Sequence, residues 1–406
     1  MKVIGGIGVC LLYNYIYKGG DTNTYYNDAR IINIFFWERP LDVIPVLSPF
    51  TFSVPDHLLA YIRFSENFNA EDSFIIVKLT SIMLFFCFRS MLVASMLYGA
   101  ISFIATWLIF KLFIEFMPMM RRQLAIVFLF VPSVAFWGSG ILKDTVALSS
   151  LYVFFYTVVR IFIQNRYKWQ YFLAMAISLF FISKIKVYIM VAFLPSLMLY
   201  VVLVKTKKVK NKIFKYIMFP FLLILGLGLA VIILSYMTKK TKMGLYSFEN
   251  IYNTSKATHE YLSRLNKEIA VGSKYSLGRN IDFDNYFSVM TIIPAAINVT
   301  LFRPYLWESK NFIMFISALE SFFIFAFTLY TLAEVKVIYF FKYIFLKPMI
   351  SSFFLYSLIF AFSVGFVSGN FGTLVRYKIP CIPFYLLCLV LAKAYYKYEK
   401  GERQLN

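Results

Sequence analysis

Apolar runs of about 20 residues recur along this chain and constrain its fold more than any other feature. About 20 helical residues cross the ~30 Å hydrocarbon core of a bilayer. The runs lie near residues 3–17, 91–116, 124–138, 145–163, 169–184, 188–204, 213–237, 311–331, 349–368 and 379–396. They predict an all-α, polytopic helical membrane protein with about ten transmembrane helices, forming one integral membrane domain over residues 1–406.

Charge and composition support this class. Charged residues make up 15% of the chain, against about 25% in a soluble domain. The net charge of +21 comes from basic clusters between apolar runs, a pattern typical of topology determinants, and no nucleic-acid-binding motif accompanies them. We therefore expect membrane lipid as a partner, and no nucleic acid. The four cysteines lack metal-ligand spacing, and only His57 and His259 are histidines, which disfavours a His-rich metal centre.

Basic clusters orient the segments, because Lys and Arg are enriched in cytoplasmic loops. The lysine-rich stretch 205–212 is the strongest such cluster, and the basic groups at 121–122, 336–347 and 393–403 fall on the same side. Both termini are then cytoplasmic, and the loops 18–73 and 238–300 lie outside. Segment 74–88 is apolar, but counting it as a crossing would invert every later loop, so we predict an interfacial or re-entrant helix there. The aromatic and charged stretch 35–40 predicts another interfacial helix.

This topology gathers polar side chains on the outer face. The residues concerned are Asp21 and Asp28 after the first span, Lys143 and Asp144 in the hairpin 137–144, Lys184 and Lys186, then Arg303, Trp307 and Glu308, and finally Arg376, Tyr377 and Lys378. Each loop alone is explained by turn formation and by the interfacial belt. Lysine and arginine are normally sparse in short outer loops, however, and their recurrence predicts an anionic partner such as a polyprenyl phosphate.

Carboxylates supply the other half of the predicted chemistry. Asp21 and Asp28 are candidates for a catalytic base or for ligands of a divalent cation; helix capping and ordinary solvation are the alternative. Their spacing of seven places them near one face if the segment is helical. Glu320 lies within a predicted span, where an ionised carboxylate is costly. It is either protonated or paired with a basic group such as Arg376, and it is either a structural clamp or a site residue.

Several of these segments carry a family resemblance. The stretch from Asp21 through Tyr25 and Tyr26 to Asp28 and Ala29 resembles the first outer loop of lipid-sugar-dependent glycosyltransferases of the GT-C superfamily. Segments 132–144, 301–308 and 372–380 resemble O-antigen-polymerase-like polytopic proteins of bacterial polysaccharide loci. The resemblance implies transfer of a sugar or oligosaccharide from a polyprenyl-linked donor to a glycan acceptor at the outer face of the bacterial cytoplasmic membrane. Thr22 stands where the family has a second acid beside the first-loop aspartate, and this departure puts a metal pair there in doubt.

Three hypotheses follow. The first is a membrane glycosyltransferase with a catalytic first-loop aspartate and, in one form, a divalent cation. The second is a polysaccharide polymerase or ligase in which Arg303 and Arg376 stabilise the leaving pyrophosphate and no metal is required. The third is a flippase or other transporter of lipid-linked sugar. Charges lining a midplane cavity would favour transport, whereas the predicted clustering at one face favours surface chemistry.

Overall fold

The computed structural model describes residues 1–48, 67, 70–206, 286–368 and 370–401, and leaves the side chains of 286–290 undescribed. Within these ranges every regular secondary-structure element of more than one residue is a helix. In chain order the α-helices are α1 (Lys2–Leu11), α2 (Asp21–Glu38), α3 (Pro40–Leu47), α4 (Glu71–Leu84), α5 (Met91–Phe116), α6 (Arg121–Ala125), α7 (Pro132–Trp137), α8 (Lys143–Val158), α9 (Trp169–Ile185), α10 (Val187–Thr206), α11 (Tyr286–Phe302), α12 (Phe312–Val335), α13 (Val337–Leu346), α14 (Pro348–Val367), α15 (Phe371–Tyr377) and α16 (Ile382–Glu399).

Five helices among the described residues are long and apolar enough to cross a membrane. They are α5, α8 with its π-helical extension to Ile163, α10, α12 and α14, and the bent pair α15–α16 makes a sixth if it is one span. Two further predicted spans, 3–17 and 169–184, correspond to shorter apolar helices. The predicted span 213–237 lies outside the described residues. The prediction of an all-helical protein with membrane-spanning helices is therefore confirmed at this coarser level.

The predicted span 124–138 is not one continuous helix. A π-helical turn ends at Phe130, and α7 begins at Pro132 after Val131 adopts an extended ψ of 118°. Proline has no N–H to donate and its ring disfavours helical geometry in the residue before it. The apolar pattern is continuous through Pro132, but the backbone is not.

The described chain divides into two compact units. Unit 1 comprises Met1–Glu115, Phe128–Ile161 and Arg166–Lys186, and unit 2 comprises Phe116–Val127, Phe162–Asn165 and the described residues from Val187 onward. In unit 1, α4 packs against α2, α3, α8 and α9. In unit 2, α14 packs against α10, α11 and α16, and α12 packs against α16.

The turn 138–142 of unit 1 is buried, although the sequence predicted a hairpin facing water. Ser139, Ile141 and Leu142 are all fully buried. The carbonyl of Gly138 accepts hydrogen bonds from Lys2 Nζ at 2.9 Å and from Ser102 Oγ at 2.6 Å. These donors satisfy a backbone acceptor at the end of α7 that would otherwise need water.

A glycine permits the closest helix crossing in unit 2. A Cβ atom on Gly365 of α14 would lie 2.1 Å from the carbonyl oxygen of Ala296 and 2.7 Å from Thr300 Oγ1 in α11. Thr300 in turn donates a hydrogen bond of 2.7 Å to the carbonyl of Ala361. Small residues allow this kind of backbone approach between helices in membranes.

Gly365→Ala should therefore destabilise the protein. Alanine ordinarily favours a helix over glycine, but here its methyl group would meet backbone, and overpacking of this kind costs about 1–3 kcal/mol. Gly372→Ala is the control, because the only atom near its Cβ position is Asn370 Oδ1 at 3.2 Å. Thermal unfolding in detergent should show a lower midpoint for the Gly365 variant alone. Equal midpoints for both variants would contradict the packing account.

Candidate functional site

Three lysine–carboxylate ion pairs meet in unit 1 where α4 and α8 begin and α9 ends. The pairs are Lys143–Asp72, Lys184–Glu71 at 3.6 Å, and Lys186–Asp144. We call these six residues the acid–lysine cluster. The carboxylates Glu71, Asp72 and Asp144 lie in the first turns of their helices, and Lys184 lies in the last turn of α9. These four charges complement the helix dipoles, whereas Lys143, the first residue of α8, does not.

The pair Lys186–Asp144 is the most deeply buried of the three. The side chains are 7% and 1% exposed, compared with 20% and 30% in the pair Lys143–Asp72. A buried ion pair adds little net stability over apolar packing, but removal of one partner leaves an uncompensated charge. This pair therefore fixes the end of α9 against the start of α8.

A fourth lysine lies beside the cluster. Lys78 of α4 donates a hydrogen bond of 2.7 Å to the carbonyl of Ser48. Burial lowers the pKa of its ammonium to about 8, against the opposing effect of the Glu71 carboxylate, while Lys184 acts in the same direction as burial. Lys78 therefore loses its charge far more easily than a solvated lysine does.

The two candidate catalytic carboxylates share helix α2. Because that segment is helical, residues seven apart lie near one face and about 10 Å apart along the axis. Asp28 is buried and accepts a hydrogen bond of 2.6 Å from Asn67 Nδ2. Asp21 is half-buried at the first position of the helix. The two carboxylates therefore differ in environment.

Two hydrogen bonds link the neighbourhood of α2 to segments that lead into the acid–lysine cluster. Beside Asp21, Thr22 Oγ1 donates a hydrogen bond of 3.2 Å to the carbonyl of Ile141, two residues before Lys143. The Asn67 that binds Asp28 accepts at its carbonyl from the Ala70 N–H at 3.1 Å, in the turn that opens α4. The residue after Asp21 thus contacts the turn before α8, and the partner of Asp28 contacts the turn before α4.

A second polar group in unit 2 centres on Arg303. Its Nε donates to both carboxylate oxygens of Glu308 at 3.0 Å, and its Nη2 also donates to Glu308. The guanidinium lies over the rings of Tyr305 and Phe371, 5.7 and 5.2 Å from their centroids. A bidentate carboxylate and two aromatic faces hold the guanidinium in one orientation.

Lys378 connects the polar segment 376–378 to this group. It is 1% exposed and donates hydrogen bonds to Ser321 Oγ at 2.8 Å and to the carbonyl of Arg303 at 3.2 Å. The carboxylate of Glu320 acts electrostatically on the same ammonium. We call Arg303, Glu308, Glu320, Ser321 and Lys378 the arginine site.

An aromatic platform adjoins the arginine site. Trp307 is 82% exposed and stacks on Tyr305 with ring centroids 4.9 Å apart. Arg376 and Tyr377 are half-buried on α15, which precedes Lys378. An exposed, anchored ring of this kind presents an apolar face to a ligand at low cost in side-chain entropy.

Sequence reasoning missed four partners in these groups: Asn67, Glu71, Asp72 and Ser321. The first three were assigned to an outer loop, although two successive acidic residues before an apolar run are a helix-start signal. The carboxylates of Glu71 and Asp72 change the inference that the loop lysines bind an anionic ligand. The lysines of the short loops have carboxylate partners within the chain, so their occurrence there does not by itself require an anionic ligand. No group of three or more His, Cys, Asp or Glu side chains arranged to hold a metal ion occurs among the described residues.

Removing one member of the buried pair should be costly. Lys186→Met should lower the free energy of unfolding by about 3–5 kcal/mol, because Asp144 would keep a buried, uncompensated charge. Lys342→Met is the control: its pair with Glu399, at 2.9 Å, is 43% and 35% exposed, and such pairs contribute at most about 1 kcal/mol. Unfolding in detergent measures both. Recovery of stability by Lys186→Met/Asp144→Leu would support the account, and equal losses for Lys186→Met and Lys342→Met would contradict it.

Comparison with known proteins gives this chain no relative from which a role could be transferred. No family, curated protein or solved structure matches it. The resemblance of its loop segments to GT-C glycosyltransferases remains a hypothesis carried by the quoted residues. Function must therefore be inferred from the contacts within the chain itself.

Proposed function

We propose that the protein is a membrane glycosyltransferase. It moves a sugar or oligosaccharide from a polyprenyl-(pyro)phosphate donor to a glycan acceptor at the outer face of the bacterial cytoplasmic membrane. In this proposal the chain crosses the membrane about ten times with both termini in the cytoplasm. Helices α2, α3 and α4 belong to the interface on the outer side. Of the predicted outer loop 238–300, residues 238–285 lie outside the described residues, and the remainder belongs to α11.

The observation that carries the proposal is the helix α2, which bears Asp21 and Asp28 near one face and is hydrogen-bonded, through Thr22 and Asn67, to the turns that precede α8 and α4. Glycosyl transfer breaks the bond between the sugar and the donor phosphate and forms a bond from the acceptor hydroxyl to the sugar. The hydroxyl proton goes to a base, and the bonding electrons leave with the phosphate. Asp21, half-buried at the start of α2, is the base in this proposal. Asp28, buried against Asn67, positions the helix.

The lysines of the cluster supply positive charge near the departing phosphate. Lys143 is the best placed, because its pair with Asp72 is partly exposed and can open at moderate cost. The pair Lys186–Asp144 is too deeply buried to open in this way and serves as support. Lys184, at 3.6 Å from Glu71, has the longest of the three pairings.

A polymerase or ligase is the second candidate, and the arginine site favours it. The orientation of Arg303, fixed by Glu308 and two rings, suits recognition of a pyrophosphate by a planar guanidinium. The exposed Trp307 offers a face for a sugar ring. In this reading Arg303 and Arg376 stabilise the leaving pyrophosphate, and no metal is required.

Asp21→Asn should abolish transfer while leaving the fold intact, because the amide cannot accept the hydroxyl proton and a half-buried carboxylate contributes little to packing. Asp28→Asn should reduce transfer less and lower the unfolding midpoint, since its bond to Asn67 is weakened. Asp42→Asn, on α3, is the control. Purified protein with a polyprenyl-linked donor, assayed with and without a chelator, gives the readout. Full activity of the Asp21 variant would reject that residue as the base and favour the arginine mechanism.

Arg303→Lys and Arg376→Lys test the second candidate. Lysine keeps the charge but cannot make a two-pronged contact, so loss of one charge-assisted hydrogen bond of about 1.5–3 kcal/mol should weaken binding of polyprenyl phosphate about ten- to a hundredfold. Arg39→Lys, at the end of α2, is the control. Binding is measured directly, alongside unfolding midpoints. Unchanged affinity in both variants would remove the phosphate-clamp mechanism.

A further inference from the structure

A basic cavity of about 820 Å³ lies within unit 2, away from the arginine site. Four of its eleven lining residues are basic and none is acidic: Arg121, Arg122, Lys393 and Lys397. The cavity opens beside the C-terminal halves of α12 and α16. These helices run parallel, since Thr328 contacts Tyr385 near the start of α16, and Glu334, near the end of α12, contacts Lys397 near the end of α16. The rise from Ser321 to Glu334 is about 20 Å, so the cavity and the arginine site lie at opposite ends of this helix pair.

One carboxylate holds the two lysines of the cavity in place. Glu334 of α12 pairs with Lys393 at 2.6 Å and with Lys397 at 3.2 Å. Lys393 also donates to Tyr330 Oη at 3.1 Å. Arg121 and Arg122 are exposed and have no ion-pair or hydrogen-bond partner among the described residues. Glu334 offsets one of four positive charges, so the cavity keeps a strong positive excess.

Apolar surface adjoins these charges. Phe327 and Val390 line the cavity, together with Met119, which is exposed. Along α12, Phe323 and Leu329 are also exposed, and this helix is the least buried of the five candidate spans. A free phosphate would use only the cations. A lipid would place its head group on the cations and its chains on the exposed face of α12.

We infer that the basic cavity binds the phosphate head group of an anionic phospholipid, with the acyl chains along α12. Basic pockets between transmembrane helices recognise such head groups through charge, and each nearby Lys or Arg strengthens the attraction severalfold. Arg121 and Arg122 are the principal contacts, because Lys393 and Lys397 already share Glu334. The site is separate from the proposed transfer chemistry.

Native mass spectrometry of the full chain in detergent, titrated with dioleoyl phosphatidylglycerol, tests the inference. Arg121→Gln/Arg122→Gln should weaken binding about twenty- to thirtyfold, at about fivefold for each cation removed. Gln123→Glu, which adds a negative charge to the wall, should weaken it about fivefold. The matched control is Arg166→Gln/Lys168→Gln, which removes two exposed basic residues that do not line the cavity.

Two comparison ligands identify the source of the phosphate. Dioleoyl phosphatidylcholine should bind more weakly than phosphatidylglycerol, because its head group has no net charge. Glycerol 1-phosphate, which has no chains, should bind more weakly still. Unchanged affinity in both cavity variants at unchanged unfolding midpoints would overturn the inference. So would an equal loss in the control variant, or glycerol 1-phosphate binding as tightly as the lipid.

Discussion

A peptide group in hydrocarbon finds no water, so its N–H and C=O must bond within the protein, and this constraint underlies the described structure. It explains why every regular secondary-structure element of more than one residue, among the described residues, is a helix. It also explains the details at the breaks. Where α7 ends, Lys2 and Ser102 donate to the carbonyl of Gly138, and the buried turn 138–142 depends on such donors. A turn with two glycines is therefore found inside the protein, where its composition alone suggests the surface.

Because water is scarce inside the protein, buried charged side chains must also be paired or hydrogen-bonded within it. Asp144 and Lys186 are both buried, and each makes burial of the other tolerable. Lys378 is likewise held by Ser321 and the Arg303 carbonyl, near Glu320. Cations in short loops have two explanations, an internal carboxylate or an external anion. The lysines of the acid–lysine cluster pair with carboxylates of the chain itself. Arg121 and Arg122 have no carboxylate partner among the described residues.

Unit 2 separates two kinds of polar surface along one helix pair. The arginine site and exposed Trp307 lie near the starts of α12 and α16, and the basic cavity lies near their C-terminal ends. A catalytic site for a lipid-linked donor and a separate contact for bulk anionic lipid are compatible with this arrangement. The proposed transfer chemistry of unit 1 rests on different residues, the aspartates of α2, so the lipid-binding proposal can fail independently of it.

The sequence by itself determined the features that depend on local composition. Apolar runs located the five helices that are long enough to cross a bilayer, because length and hydropathy decide whether a helix can do so. Asp21 and Asp28 share a helix face because the period of an α-helix is fixed. The pairing of Arg303 with Glu308 is also local in sequence, although the sequence pattern did not predict it.

Tertiary structure alone decided which charges meet. Lys143 pairs with Asp72, which is 71 residues away in sequence, and Lys186 pairs with Asp144, which is 42 residues away. The ammonium of Lys378 likewise donates to the hydroxyl of Ser321, 57 residues away. Composition gives each residue a charge and a preference for a helix end, but it does not say which helix ends will pack together. That choice follows from side-chain fit, such as the glycine crossing of α11 and α14, and from the local break at Pro132. Whether a loop lysine is a structural partner or a ligand contact is therefore settled by packing, because only packing brings a carboxylate to it.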